Sequence, residues 1–410
     1  MTWLTNPAHR RWLEAESDRL LDFGAASVDP RGGFGWLDEA GARDDSRDVE
    51  LWITCRMTHA FALGSLMGRP GAAALCDHGI DALRGRLRDE EHGGWFAAVG
   101  ADGPTRAQKE AYGHAFVILA ASSAVAAGRP DADALLEQAL AVHDEHFWDA
   151  QAGMSREGFA RDWSGEEDYR GINANMHTVE AYLAAADVTG DKALLRRALR
   201  IATRAVHEGA REHDWRMPEH YDRDWSPLLG YNEDEPAHPF RPFGATIGHG
   251  FEWARLTLQL AAALQQSGLA HPDWMRADAR ALYDASVRDG WSVDGGTGFV
   301  YTVDWDGRPM VRERMHWVAA EAIAAAAVLW QVTRQHEYAD QYQQWWDYVG
   351  AHVLDRQGGS WWHELGPDNE ASRTVWKGKA DIYHALQATL IPRLPTSPAL
   401  AASLAAGNLG

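Results

Sequence analysis

Six times along this chain a stretch rich in glycine and aromatic residues stands between an amphipathic helix and a helix that is apolar on most sides. Four of these stretches are compact: "GGFGWLDEAG" (32–41), "GGWFAAVGADGPT" (93–105), "GGTGFVYTVDWDGRP" (295–309) and "GGSWWHELGPDNE" (358–370). Two are longer cousins, "AGMSREGFARDWSGEEDYRG" (152–171) and "WRMPEHYDRDWSPLLGYNEDEPAHPFRPFG" (215–244). Glycine tolerates positive φ and aromatics suit half-buried strands, so each reads as a short hairpin. The units recur about every 60 residues, longer than the roughly 34 to 47 residues of helical solenoids. Helices before the hairpins, such as "DKALLRRALRIATRAVHEGA", have one wet face; those after them, such as "AQKEAYGHAFVILAASSAVAAG", do not, and a helix apolar all round must be buried on all sides. Six wet helices alternating with six dry ones predict an all-α (α/α)6 barrel, an inner ring wrapped by an outer one. All six hairpins then rim a single mouth. This predicts one domain over residues 1–392, with the proline-containing segment 393–410 as a loosely held tail.

With 410 residues, 46% of them hydrophobic and 24% charged, the chain is long enough to bury such a core. A formal net charge of -20 repels phosphate backbones and anionic membranes, which argues against nucleic-acid or membrane partners and for a small molecule. No apolar run reaches the roughly 18 residues of a membrane span. The charged start "MTWLTNPAHRRWLEAESDRLL" lacks a signal-peptide pattern, and Cys55 and Cys76 have no C-x-x-C spacing, so a reduced cytoplasmic protein is expected. The 20 tryptophans suit either helix junctions or a sugar-binding mouth.

The dry helices carry polar residues near their starts: Arg56 and His59; Tyr112 and His114; Asn173, His177 and Glu180; His249 and Glu252; His316, Trp317 and Glu321; Asp381 and His384. Residues three or four apart share a helix face, so Asn173 projects with His177, His249 with Glu252, and Asp381 with His384. Burying such pairs is costly unless they bond one another or a polar ligand. The chain lacks H-E-x-x-H, P-loop and G-x-S-x-G patterns, and no local spacing argues for a metal or a nucleotide cofactor. Two histidines across one pocket suit taking and returning a proton next to a carbonyl, with Arg56 and the positive helix ends stabilising an enediolate. An inverting glycosidase using Glu252 and Glu321 or loop carboxylates is the rival from another class, and a non-catalytic sugar-binding toroid a further one.

"RDWSGEEDYRGINANMHTVEAYLAA", "GHGFEWARL", "HWVAAEAIAA" and "KADIYHALQ" occur in the order, and with the motifs, of the N-acylglucosamine 2-epimerase superfamily, and the chain resembles its aldose-ketose isomerase branch over roughly residues 5–392. The resemblance implies an (α/α)6 barrel, no catalytic metal or nucleotide, and cis-enediol chemistry on a monosaccharide, with D-mannose and D-fructose as the pair and D-lyxose and D-xylulose as side substrates. It implies His384 and His249 as catalytic, with His384 shuttling the proton between C2 and C1 and His249 opening the ring. Arg56, Asn173 and His177 match substrate-binding positions, Glu252 and Glu321 match carboxylates that hold hydroxyls or orient a histidine, and Tyr112, Trp317 and Asp381 match less closely. A sugar 2-epimerase and a sulfonated-hexose isomerase remain alternatives; the latter needs a cationic pocket, for which Arg241 and Lys379 are candidates.

Overall fold

The computed structural model describes residues 2–409. Twelve helices alternate between two rings: α1 (Pro7–Gly24) and α2 (Leu51–Leu66), α3 (Ala72–Arg84) and α4 (Ala111–Ala126), α5 (Ala132–Val142) and α6 (Ile172–Thr189), α7 (Lys192–Ala202) and α8 (Ile247–Gln266), α9 (Trp274–Gly290) and α10 (His316–Thr333), α11 (His336–Tyr348) and α12 (Tyr383–Leu390). The even-numbered helices are the predicted dry ones. They pack side by side from α2 to α12 and back to α2, closing the inner ring, and each carries an odd-numbered helix on its outer side. The outer helix α7 shows why: only Leu194, Leu195, Ala198, Ile201 and Ala202 are buried, one stripe at helical spacing. In α4, by contrast, every residue from Gly113 to Ala124 is buried. The (α/α)6 architecture is as the alternation predicts, and among the described residues no helix is long and apolar enough to cross a membrane.

The hairpins do more than turn the chain. The residues just before five inner helices pair antiparallel with the hairpin of the following unit: Val49 with Val99, Lys109 with Phe159, Arg170 with Tyr221, Ala245 with Val303, and Arg314 with Leu365. The same hairpins cap those helices. Leu51 N donates to Ala97 O, Ala111 N to Glu157 O, Ile172 N to Glu219 O, Ile247 N to Tyr301 O and His316 N to His363 O, at 2.8–3.1 Å. A helix start leaves N–H groups without intrahelical partners, and these inner helices have no side-chain cap, so the neighbour's carbonyl supplies one. The ring closes where Lys379 N donates to Leu37 O at 2.8 Å and Trp36 Nε1 to Lys377 O at 2.7 Å. Gly378, at φ +75°, permits that approach; a Cβ there would lie 2.4 Å from Leu37 O.

The terminal segment departs from the sequence reading. Residues 393–409 are not a loose tail: a helix α13 (Leu400–Ala405) packs against α2, α4 and α6 at the end of the barrel opposite the hairpins. Leu394 and Leu404 are buried, and Ala399 N donates to Asp187 at 2.7 Å. The prolines mark the turn back under the barrel, where exposed apolar ends of the inner helices require a cover.

Candidate active site

The starts of the inner helices converge on a cavity at the hairpin mouth. Its wall includes Arg56, Tyr112, Asn173, His177, His249, Glu252, Trp317, Asp381 and His384, nine of the ten residues that the family resemblance matches to site positions. Glu321, the tenth, lies beneath the floor and acts through its neighbours.

His249 and His384 both pack against the Trp317 indole, with ring centroids 5.2 and 5.6 Å from it. Each is oriented by a carboxylate. His249 Nδ1 faces both oxygens of Glu219 at 2.9 Å, and His384 Nδ1 faces Glu321 Oε1 at 3.0 Å. A carboxylate on Nδ1 fixes the tautomer and leaves Nε2 for the cavity. Burial, aided by the nearby Arg56 cation, holds His384 well below the ordinary 6.5. Gly248 makes room for the indole, since a Cβ there would sit 2.2 Å from Trp317.

Arg56 bridges the wall. Its Nη1 donates to Asp381 Oδ2 at 3.2 Å and its Nη2 to the Tyr112 hydroxyl at 2.8 Å. Burial alone would raise the Asp381 carboxyl, but Arg56 overrides it and keeps this group below its usual range. Burial pushes the Tyr112 phenol up to about 12, so it stays a neutral donor. Asn173 Oδ1, His316 Nε2 and Trp376 Nε1 are buried without a protein partner on residues of the cavity wall, placing donors and acceptors where hydroxyls of a ligand can meet them.

Below the floor Arg255 donates to Glu321 at 2.9 Å and to Glu252 at 3.4 Å, while His177 Nδ1 faces Glu180 at 3.2 Å and Tyr383 donates to the same carboxylate. Burial, then the charge of Glu321, raises Glu252 well above the usual carboxylate range, and burial brings His177 down to about 4. His177, Glu180 and Glu252, and likewise Glu252, Glu321 and His384, gather potential metal-ligand atoms within 4.8 Å of one another. The Arg255 guanidinium already stands among these carboxylates as their cation.

Two of the sequence's polar residues turn elsewhere. His114 takes the Trp95 N–H on Nε2 and bonds Glu110 O through Nδ1, a purely structural role, and His59 bonds Ser123 and faces a second cavity below the floor. The cationic pocket imagined for a sulfonate does not form. Lys379 is buried on Asp355 and Gly359 O, and Arg241 is held by Glu167. The glycosidase pair fails on geometry too: oxygens of Glu252 and Glu321 lie within 4.8 Å, short of the roughly 6.5–9.5 Å that an inverting pair needs for its water. Sequence reasoning missed Glu219, Arg255, Tyr301, Phe240, His363 and Trp376. Glu219 sits in "MPEHYD", within the longest hairpin, where its strand neighbours His220 and Tyr221 were the only signal.

The N-acylglucosamine 2-epimerase (GlcNAc 2-epimerase) family model matches residues 32–388. A D-mannose isomerase of Thermobifida fusca is 52% identical over 405 residues, covering 98% of both chains. Another, of Pseudomonas cannabina pv. alisalensis, is 50% identical over 98% of this chain and 97% of the relative. A crystal structure of D-mannose isomerase superposes with a TM-score of 0.87 at 30% identity, covering 95% of this chain and 99% of that one.

Proposed function

The chain belongs to the N-acylglucosamine 2-epimerase family, and from that membership we propose that it is an aldose-ketose isomerase interconverting D-mannose and D-fructose, with D-lyxose and D-xylulose as further substrates. The observation that carries this reading is the pair of carboxylate-oriented imidazoles, His249 and His384, both against Trp317 in one cavity.

The chemistry follows from their surroundings. His249 moves the proton between the ring oxygen and O1 that opens the pyranose. His384, held neutral at physiological pH by burial and Arg56, has its Nε2 lone pair free to take the C2 proton. The C2–H electrons become the C1–C2 double bond of an enediolate, whose oxygen charge Arg56 and the Tyr112 hydroxyl are placed to stabilise. A proton then passes from O2 to O1, and the imidazolium of His384 returns its own to C1 as O2 becomes the ketone. Electrons balance without an external oxidant or reductant. Asn173, His177, Glu252, Trp317 and Asp381 hold the sugar, and Glu321 orients His384. Two free buried thiols, Cys55 and Cys76, support a reducing, cytoplasmic setting.

Incubation with D-mannose, D-glucose, D-lyxose and cellobiose in heavy water, with and without a chelator, tests the reading. Ketose from D-mannose with partial deuterium at C1 is expected in both conditions. A C2 epimer without ketose, or no turnover of any sugar, refutes it. Because His384 must be neutral to act, the acid limb of kcat is expected well under pH 6.5, and His384→Ala should remove roughly 10²–10⁴-fold of the rate.

A further inference from the structure

The two histidines are oriented by carboxylates of different character. Glu321 divides itself between His384 and Arg255, so its charge is largely spent on the guanidinium. Glu219 does not. Among the described residues its side chain bonds nothing but His249, with both oxygens 2.9 Å from Nδ1, and no arginine or lysine shares it. It is buried at 4% exposure, and its main chain is pinned by the bond from Ile172 N and by the pairing of His220 with Gly171. The other titratable groups facing His249 are His177 from α6, Glu252 on its own helix, His220 beside Glu219 and Tyr301 from the next hairpin; none hydrogen-bonds the imidazole.

We propose that Glu219 is the positioning residue of the ring-opening step, fixing the His249 tautomer and stabilising its imidazolium while the neutralised Glu321 leaves His384 a base. This rests on the isomerase reading above. Two carboxylate–histidine pairs of like geometry thus have different surroundings: burial and the Arg56 cation keep His384 uncharged beside a carboxylate shared with Arg255, whereas the Glu219 carboxylate is given wholly to His249.

The test is Glu219→Gln beside Glu219→Asp. The amide oxygen of Gln can still accept from Nδ1–H, so geometry is conserved and charge is lost. For E219Q, kcat is expected to fall about 10–100-fold, the size typical of partners that orient a catalytic histidine, with KM within about twofold. The kinetic limb governed by His249 should move to lower pH, because an imidazolium without its carboxylate is harder to form. E219D keeps the charge and should keep the limb in place at a reduced kcat. The downfield Nδ1–H proton resonance of His249 should weaken or shift in E219Q alone, independent of turnover. Unchanged kcat and limb in E219Q overturn the proposal, as does a loss of activity or melting temperature in both variants with the limb unmoved, which is the mark of a scaffolding role. An inactive His249→Ala beside a wild-type-like E219Q sinks this inference and spares the isomerase reading. A fully active His249→Ala sinks the assignment of His249 itself.

Discussion

Replacing Arg255 by Met keeps the stem and removes the cation that stands between Glu321 and Glu252 below the cavity. The guanidinium is buried at 2% exposure, donating to Glu321 at 2.9 Å, to Glu252 at 3.4 Å and to Gln259 at 3.0 Å, and both carboxylates are 1% exposed. Breaking a buried ion pair from one side costs about 3–5 kcal/mol, because the remaining charge stays desolvated and uncompensated. At about 2.1 cal/mol/K of unfolding entropy per residue, a chain of 410 residues gains about 0.9 kcal/mol/K, so the melting temperature should fall by about 3–6 °C.

The loss must also depend on pH, with a definite sign. Burial already raises Glu252 and Glu321 above the ordinary carboxylate range, and Arg255 opposes this in both. Without it both rise further. A carboxyl whose folded value exceeds its unfolded value of about 4.3 costs nothing below that pH, where both states are protonated, and costs progressively more as pH climbs toward the folded value. Calorimetric scans of wild type and variant from pH 5 to 8.5 should therefore show the gap widening toward the alkaline end. A gap that is absent, or constant across the range, refutes the claim that Arg255 is the counterion of this floor.

The other outcomes concern packing. Gly248→Ala puts a methyl group 2.2 Å from the Trp317 ring and must displace the indole that both histidines pack against; a shift of about 1 Å there should lower kcat about 100-fold with the circular dichroism spectrum unchanged. Ending the chain at Arg393 removes buried Leu394 and Leu404, worth roughly 1.5–3 kcal/mol each, and should lower the melting temperature by at least about 3 °C in calorimetry.

The periodic features were legible in the sequence because periodicity reports burial directly. Dry helices such as α4 announce an inner ring, and polar residues that interrupt them, His249 and His384 among them, announce a site, since burial without purpose would be too costly; Asp381, which the sequence placed on the last helix, stands just before its start. The terminal segment misled because proline and small residues signal a turn without saying what the chain turns back onto. His59 and His114 misled because a helix position fixes a direction only to within a turn, and whether a ring reaches the cavity or the neighbouring helix is decided by packing.

Three of the residues that escaped sequence reading, Glu219, Tyr301 and His363, share a position. Ala97, Glu157, Glu219, Tyr301 and His363 each give their carbonyl to the first N–H of the preceding unit's inner helix. That task uses the main chain only, so nothing constrains the side chain, and the five share no chemistry that a repeat search could detect. The same bond nevertheless places each side chain beside a helix start at the mouth. Tyr301 and His363 line the cavity, Glu157 lines the groove next to it, and Glu219 grips His249. Because the fold demands only the carbonyl, the side chain is free to take up chemistry, and the barrel can vary its site at five rim positions without disturbing the caps that hold its inner ring together.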